Sequence, residues 1–177
     1  MAQIRFHATN ERIEKETEVE AFLNSQGVIF EKWDITKLPE GLKETYLLSD
    51  EEKEQILETF APEIFDISAR RGYKAQDVIS LTEATPNLDE LLVNFKREHH
   101  HSDDEVRFIV SGHGIFAIEG ENGTWFDVEL YPGDLISVPE NVRHYFTLQE
   151  DRQVVAIRIF VTTAGWVPIY EKEQFQA

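Results

Sequence analysis

A chain of 177 residues, 41% hydrophobic and 29% charged, has the length and composition of one folded domain with a sizeable core. Its 34 acidic residues against 17 basic ones give a net charge of -17, which opposes binding to nucleic-acid phosphates and to anionic membrane surfaces. Cysteine is absent, which excludes disulfides, thiolate nucleophiles, zinc-thiolate sites and iron–sulfur clusters.

The opening residues, MAQIRFHATNERIEKE, contain no apolar core of a secretory signal, and no apolar run approaches the roughly 18 residues of a membrane span. A cytoplasmic protein is expected. Ile13 to Asn24 reads as a helix, closed by Gly27 at a position that tolerates positive φ. Ser49 stands three residues before Glu52, the spacing of a capping box, and opens a segment with Ile56, Leu57 and Phe60 on one face. Pro62 interrupts it, and Ile64 to Arg71 forms a second helical piece. Val78 to Leu81 reads as a strand. Asn87 caps a short helix that carries Leu91, Leu92 and Phe95.

Near residue 96 the pattern changes. Short runs rich in β-branched and aromatic residues follow, at Val106–Val110, Ile115–Glu119, Thr124–Leu130, Leu135–Val138, Val142–Leu148 and Gln153–Val161. The turn signals SGHG, EGENG, LYPGD, PENV and LQEDR separate them. Six short antiparallel strands, joined by others from the first half, predict a mainly β fold, a barrel or jelly roll with added N-terminal helices. The expected organisation is one domain, with residues 1–95 helix-rich and packed on a barrel core of residues 96–170. Strands that close on themselves leave no edge for a second copy, so a monomer is expected.

Five of the six histidines lie between 99 and 144, entering where the β pattern begins. In EHHHSDDEVRFIVSG, His99 and His101 share the face of an extended segment. Glu105 has the same parity, while His100 points away. Imidazoles with one carboxylate suit iron(II), nickel, manganese or zinc. His144 follows the turn at Pro139–Asn141 in YPGDLISVPENVRHYF and can complete the set from a neighbouring strand. Three histidines and one glutamate leave two open positions on an octahedral metal, room for a bidentate ligand or dioxygen. Each residue has an ordinary alternative: the histidine run as a solvated cluster, His144 as a hydrogen-bonded strand residue. His7 and His113 are left out of the site, and Asp103 and Asp104 are read as facing solvent or supporting the loop.

HHHSDDEVRFIVSG resembles the first cupin motif, with His99, His101, Glu105 and Gly112 at its spacings. GDLISVPENVRH resembles the second, with Gly133, Pro139 and His144 in place. Asn141 stands where that motif usually has glycine, and asparagine tolerates positive φ better than most residues. The resemblance implies a single cupin jelly-roll barrel.

Within the cupins the chain is similar to the acireductone dioxygenase family, on DEVRFIV after the first ligands, GDLISVP before the last, HYF around it and AIRIFVTTAGW near the end. The resemblance implies a dioxygenase of the methionine salvage pathway. It would bind one iron(II) or nickel(II) through His99, His101, Glu105 and His144. Its substrates would be dioxygen and the enediol acireductone, 1,2-dihydroxy-3-keto-5-methylthiopentene. With iron(II) the implied products are formate and 4-methylthio-2-oxobutanoate; with nickel(II) they are carbon monoxide, formate and 3-methylthiopropionate. Arg107, two beyond Glu105, would pair the enediolate or a supporting carboxylate. Arg158, inside VVAIRIFV, is implied to work in the active site, its alternative being an outward-facing strand residue. Phe95, Phe146 and Trp166 match positions that wall the family's substrate pocket. Tyr145 departs from the tryptophan frequent there, and His100 is an extra imidazole that can compete for metal.

Two other readings share these residues: a different metal cupin, whether dioxygenase or isomerase, and a cupin that binds a small molecule without turning it over. The presence of all four ligands argues against the second.

Overall fold

The computed structural model describes residues 2–43, 45–82, 85, 88–90, 104–148 and 153–160, and among these hydrophobic period and turn chemistry give ten strands and three α-helices of at least ten residues. In chain order they are β1 (Gln3–Phe6), β2 (Arg12–Ile13), α1 (Glu16–Ser25), β3 (Ile29–Lys32), α2 (Asp50–Thr59), α3 (Ala61–Arg71) and β4 (Ala75–Leu81). The second half supplies β5 (Glu105–Gly112), β6 (Gly114–Glu119), β7 (Trp125–Leu130), β8 (Asp134–Val138), β9 (His144–Leu148) and β10 (Val154–Phe160).

The strands form two five-stranded sheets, β2-β1-β7-β6-β9 and β3-β8-β5-β10-β4, antiparallel throughout. Their facing surfaces interdigitate as one core in which Ile4, Phe116, Phe126, Val128 and Phe146 meet Ile109, Ile136, Val138 and Ala156. The architecture is the jelly roll expected from the strand pattern. Strands from the first half enter both sheets; α2 and α3 cover the second sheet, whereas α1 packs Val19 and Leu23 into the core between the sheets and sets Phe22 against Phe126 of β7.

That covering explains the unbroken apolar run in β5. Its inward residues face the other sheet, while Val106, Phe108 and Val110 join a second core with Ile56 of α2 and Ile64 and Ile67 of α3. Phe60, between those helices, packs edge-on against Phe108 with ring centroids 4.8 Å apart. All eight β5 residues are buried. A strand buried on both faces loses the polar half of the alternation.

The helix expected from Ile13 starts three residues later, at Glu16, because Arg12 and Ile13 pair with Arg5 and Ile4. Gly27 adopts φ 74°, and Ser49 and Glu52 form both hydrogen bonds of the capping box. Pro62 sits in the first turn of α3, where its missing N–H has no intrahelical partner to lose. Hence α3 begins at Ala61 rather than at Ile64. β4 is longer than expected because all seven of its residues pair with β10. β9 starts two residues later than expected: Val142 and Arg143 lead out of the turn, and His144 is the first strand residue. Asn141 in that turn has φ 64°, the conformation expected of it. Of the short helix proposed through Leu91, Leu92 and Phe95, residues 88–90 are helical, and those three residues lie outside the described residues. Among the described residues, no helix is long and apolar enough to cross a membrane.

Candidate metal centre and its pocket

At the end of the jelly roll where β5 and β9 both begin, a carboxylate and an imidazole are buried. Glu105 is the first residue of β5 and His144 the first of β9, in opposite sheets. Their side chains meet, Glu105 Oε2 against His144 Nε2, and both are almost wholly buried. On the other side of the ring, His144 Nδ1 lies 2.9 Å from the Val142 carbonyl oxygen. A carbonyl only accepts, so Nδ1 carries the proton and Nε2 presents its lone pair to the carboxylate.

Two electron-rich atoms directed at one point require something positive between them, a proton or a metal cation. A fixed imidazole with its Nε2 beside a buried carboxylate is the donor chemistry of a divalent transition-metal site. The residues present therefore fit the metal. His99 and His101 lie outside the described residues, and among the described residues no third histidine, aspartate or glutamate joins this pair into a cluster of three.

Arg107, one step further along the inward face of β5, donates from Nη2 to Glu105 Oε1 at 3.1 Å. One carboxylate oxygen thus meets the arginine and the other the imidazole. Burial pushes the Arg107 guanidinium below its usual value; Glu105 opposes that shift and Arg158 adds to it. A guanidinium remains charged even so. Its carbon lies 4.7 Å from the centre of the Phe146 ring and 5.6 Å from that of Phe116, so two aromatic faces help to hold the cation. Phe116 and Phe146 pack together at 5.0 Å, and Phe116 reaches the His144 ring at 6.0 Å.

Arg158 stands directly opposite Arg107 in register. Directly opposed residues share a sheet face, so Arg158 points inward. It pairs with Asp77 on β4, with Nε 2.8 Å from Oδ1. Of the nine site residues read from the sequence, Glu105, Arg107, His144 and Phe146 come together, Arg158 lies beside them, and Phe95, His99, His101 and Trp166 lie outside the described residues.

Several supporting residues were missed or underrated. Asp104, immediately before Glu105, accepts from Arg71 Nη2 at 2.7 Å, from the Tyr73 hydroxyl at 2.9 Å and from the Glu140 backbone N–H at 3.2 Å. It ties the start of β5 both to the end of α3 and to the turn that leads into His144. Reading it as facing solvent or supporting the loop is resolved in favour of support. Gly114 is a second case: a β-carbon there would lie 2.7 Å from the Phe146 ring, so glycine makes room for that ring. No local sequence signal marks either role. Phe116 had a signal, since it shares the inward parity of its strand.

Comparison with known proteins agrees with this geometry. The model of the ARD/ARD' family matches residues 3–168. An acireductone dioxygenase of Bacillus thuringiensis subsp. konkukian is 74% identical over 170 residues, 96% of this chain and 100% of that one. The acireductone dioxygenase of Bacillus licheniformis is 75% identical over 174 residues, covering 98% and 97% of the two chains. Among solved structures, acireductone dioxygenase from Bacillus anthracis with a cadmium ion in its active centre superposes with a TM-score of 0.94. It is 73% identical and covers 96% of this chain and 98% of its own. A family model spanning nearly the whole chain, and relatives this similar along almost their full length, make this protein a member of the ARD/ARD' family.

Proposed function

We propose that the protein cleaves acireductone with dioxygen at a single iron(II) or nickel(II) held by His99, His101, Glu105 and His144. That it is a dioxygenase follows from its family and from relatives of the same activity that match it end to end. The metal reading is supported by the convergence of Glu105 Oε2 and His144 Nε2 in a buried pocket, and by the metal in the active centre of the Bacillus anthracis relative. The single observation that carries the proposal is this pair with Arg107 fixed beside it.

The residues divide the work. His144, held by the Val142 carbonyl, and Glu105, held by Arg107, present preformed donors. When bound, the metal supplies Lewis acidity and a template for a chelating enediolate and for dioxygen. Arg107 faces that enediolate with a buried cation, worth far more there than in water, and stabilises its electron-rich form. Phe146 and Phe116 shape an apolar wall and exclude water around the arginine. Arg158 adds a second cation toward the open side. Phe95 and Trp166 complete the wall in the reading drawn from the family. The iron(II) form yields formate and 4-methylthio-2-oxobutanoate; the nickel(II) form yields carbon monoxide, formate and 3-methylthiopropionate. The setting is a cytoplasmic monomer, its net charge of -17 keeping copies apart.

The test is to strip the metal, reload separately with iron(II) and nickel(II), and follow oxygen uptake and products with acireductone. Turnover with both metals, with carbon monoxide formed only with nickel, is the expected result. Tight metal binding without oxygen uptake would discard the substrate and leave a metal-binding cupin.

A further inference from the structure

Asp77 belongs to none of the motifs that mark the site, yet it holds one of the pocket's two arginines. Arg158 Nε donates to Asp77 Oδ1 at 2.8 Å and Nη2 donates to Oδ2 at 2.5 Å, a side-on bidentate pair. In register, Asp77 stands opposite Arg158, and Arg158 opposite Arg107. One row across three strands therefore carries a negative and then two positive side chains. Side-chain exposure falls along it from 41% at Asp77 to 26% at Arg158 and 3% at Arg107. The row runs from solvent at the end strand to the buried site.

Like charges directly opposed across antiparallel strands repel. Here each arginine has its own carboxylate, Glu105 for Arg107 and Asp77 for Arg158. An anion entering along the row reaches Arg158 before Arg107, and it meets a guanidinium whose Nε/Nη2 edge is already taken. We infer that Asp77 is a positioning residue that competes with the anionic ligand for Arg158 and thereby holds down the pocket's affinity for anions. The inference rests on the proposed pocket. For a reaction that turns an enediolate into carboxylates, a restrained Arg158 lets the carboxylate products leave.

The test uses oxalate, a carboxylate that can chelate metal, titrated into the nickel-loaded full-length protein. Asp77→Asn removes the competing charge and is expected to tighten oxalate binding by about three- to tenfold, a modest gain because Arg158 is partly solvated. Asp77→Glu, which keeps the charge, is expected to restore wild-type affinity. Arg158→Met combined with Asp77→Asn is expected to lose the gain. A merely structural Asp77 gives the opposite sign, weaker binding in Asp77→Asn. Unchanged or weaker oxalate binding in Asp77→Asn at wild-type metal content overturns the inference, as does a gain that persists without Arg158. Should Asp77→Asn unfold, Asp77→Ala read against Asp77→Ala/Arg158→Met decides by the same comparison. Wild-type oxygen uptake with acireductone is measured alongside. Its absence would sink the proposed substrate while leaving the oxalate comparison to be read by itself.

Discussion

Glu105 and His144 are each the first residue of their strand, and they touch across the interior although their strands lie in different sheets. The contact closes one end of the jelly roll with a carboxylate and an imidazole instead of apolar side chains. Buried polar groups are maintained where partners satisfy them. Here Arg107 and the Val142 carbonyl do so on the outer sides, leaving the inner sides for a cation.

Replacing His144 with alanine removes the imidazole that faces Glu105. Metal affinity is expected to fall by more than about 100-fold, beyond what loss of a supporting residue produces. Metal content and oxygen uptake should fall together in elemental analysis and oxygen-electrode traces. Full metal retention with normal turnover would overturn the assignment.

Asp104→Ala leaves all four proposed ligands intact but cuts the link from β5 to Arg71, Tyr73 and the turn at Glu140. The two chain segments carrying Glu105 and His144 then lose a common anchor. Chelator competition is expected to show metal affinity weakened by about tenfold, with the folded state kept. Affinity equal to wild type would show that strand pairing alone holds the two segments.

Gly112 and Gly114 flank His113 and answer to different constraints. At Gly112, φ is 74° and a β-carbon would lie 2.2 Å from the Gln153 carbonyl oxygen. Gly112→Ala is expected to destabilise by at least about 2 kcal/mol in urea unfolding. At Gly114 the obstacle is the Phe146 ring, which is itself buried. Gly114→Ala is expected to cost about 1–3 kcal/mol and to raise KM for acireductone by displacing that ring. An unchanged KM would separate Phe146 from substrate binding.

Asp134 begins β8 with a fully buried carboxyl, whose Oδ2 accepts from the Tyr131 N–H at 2.9 Å. Burial raises its pKa in the folded protein. The folded state therefore holds this proton more tightly than the unfolded chain, and the associated stability is fully present only below the ordinary aspartate value of about 3.9. It is lost as pH rises from there through the raised folded value. Urea unfolding of wild type and Asp134→Asn between pH 4 and 8 should show the variant gaining on wild type as pH increases. A difference independent of pH would contradict this.

Arg107 was legible as the neighbour of Glu105 because strand parity is local: a two-residue step puts both on one face of β5, whereas the parity expected for His99 and His101 lies outside the described residues. Turn chemistry was legible for the same reason, and Asn141 took the φ its residue type permits. Asp77, Asp104 and Gly114 were not legible in that way. Asp77 meets Arg158 across 81 residues, Asp104 meets Glu140 across 36, and Gly114 is defined by a ring on another strand. The early helix start at Ile13 failed because pairing with β1 outweighs helix propensity there.

The double covering of β5 has a kinetic meaning. It lies second from neither end of its sheet but at its centre, between β8 and β10, with one face under α2 and α3 and the other inside the jelly roll. Its amides should be among the last to exchange with solvent, because opening them requires dismantling two cores at once. β9 ends the opposite sheet, and the turn before it is exposed at Glu140 and Asn141. Local opening at this end therefore begins from the side of His144 while Glu105 stays in place, so the two halves of the pair have unequal lifetimes.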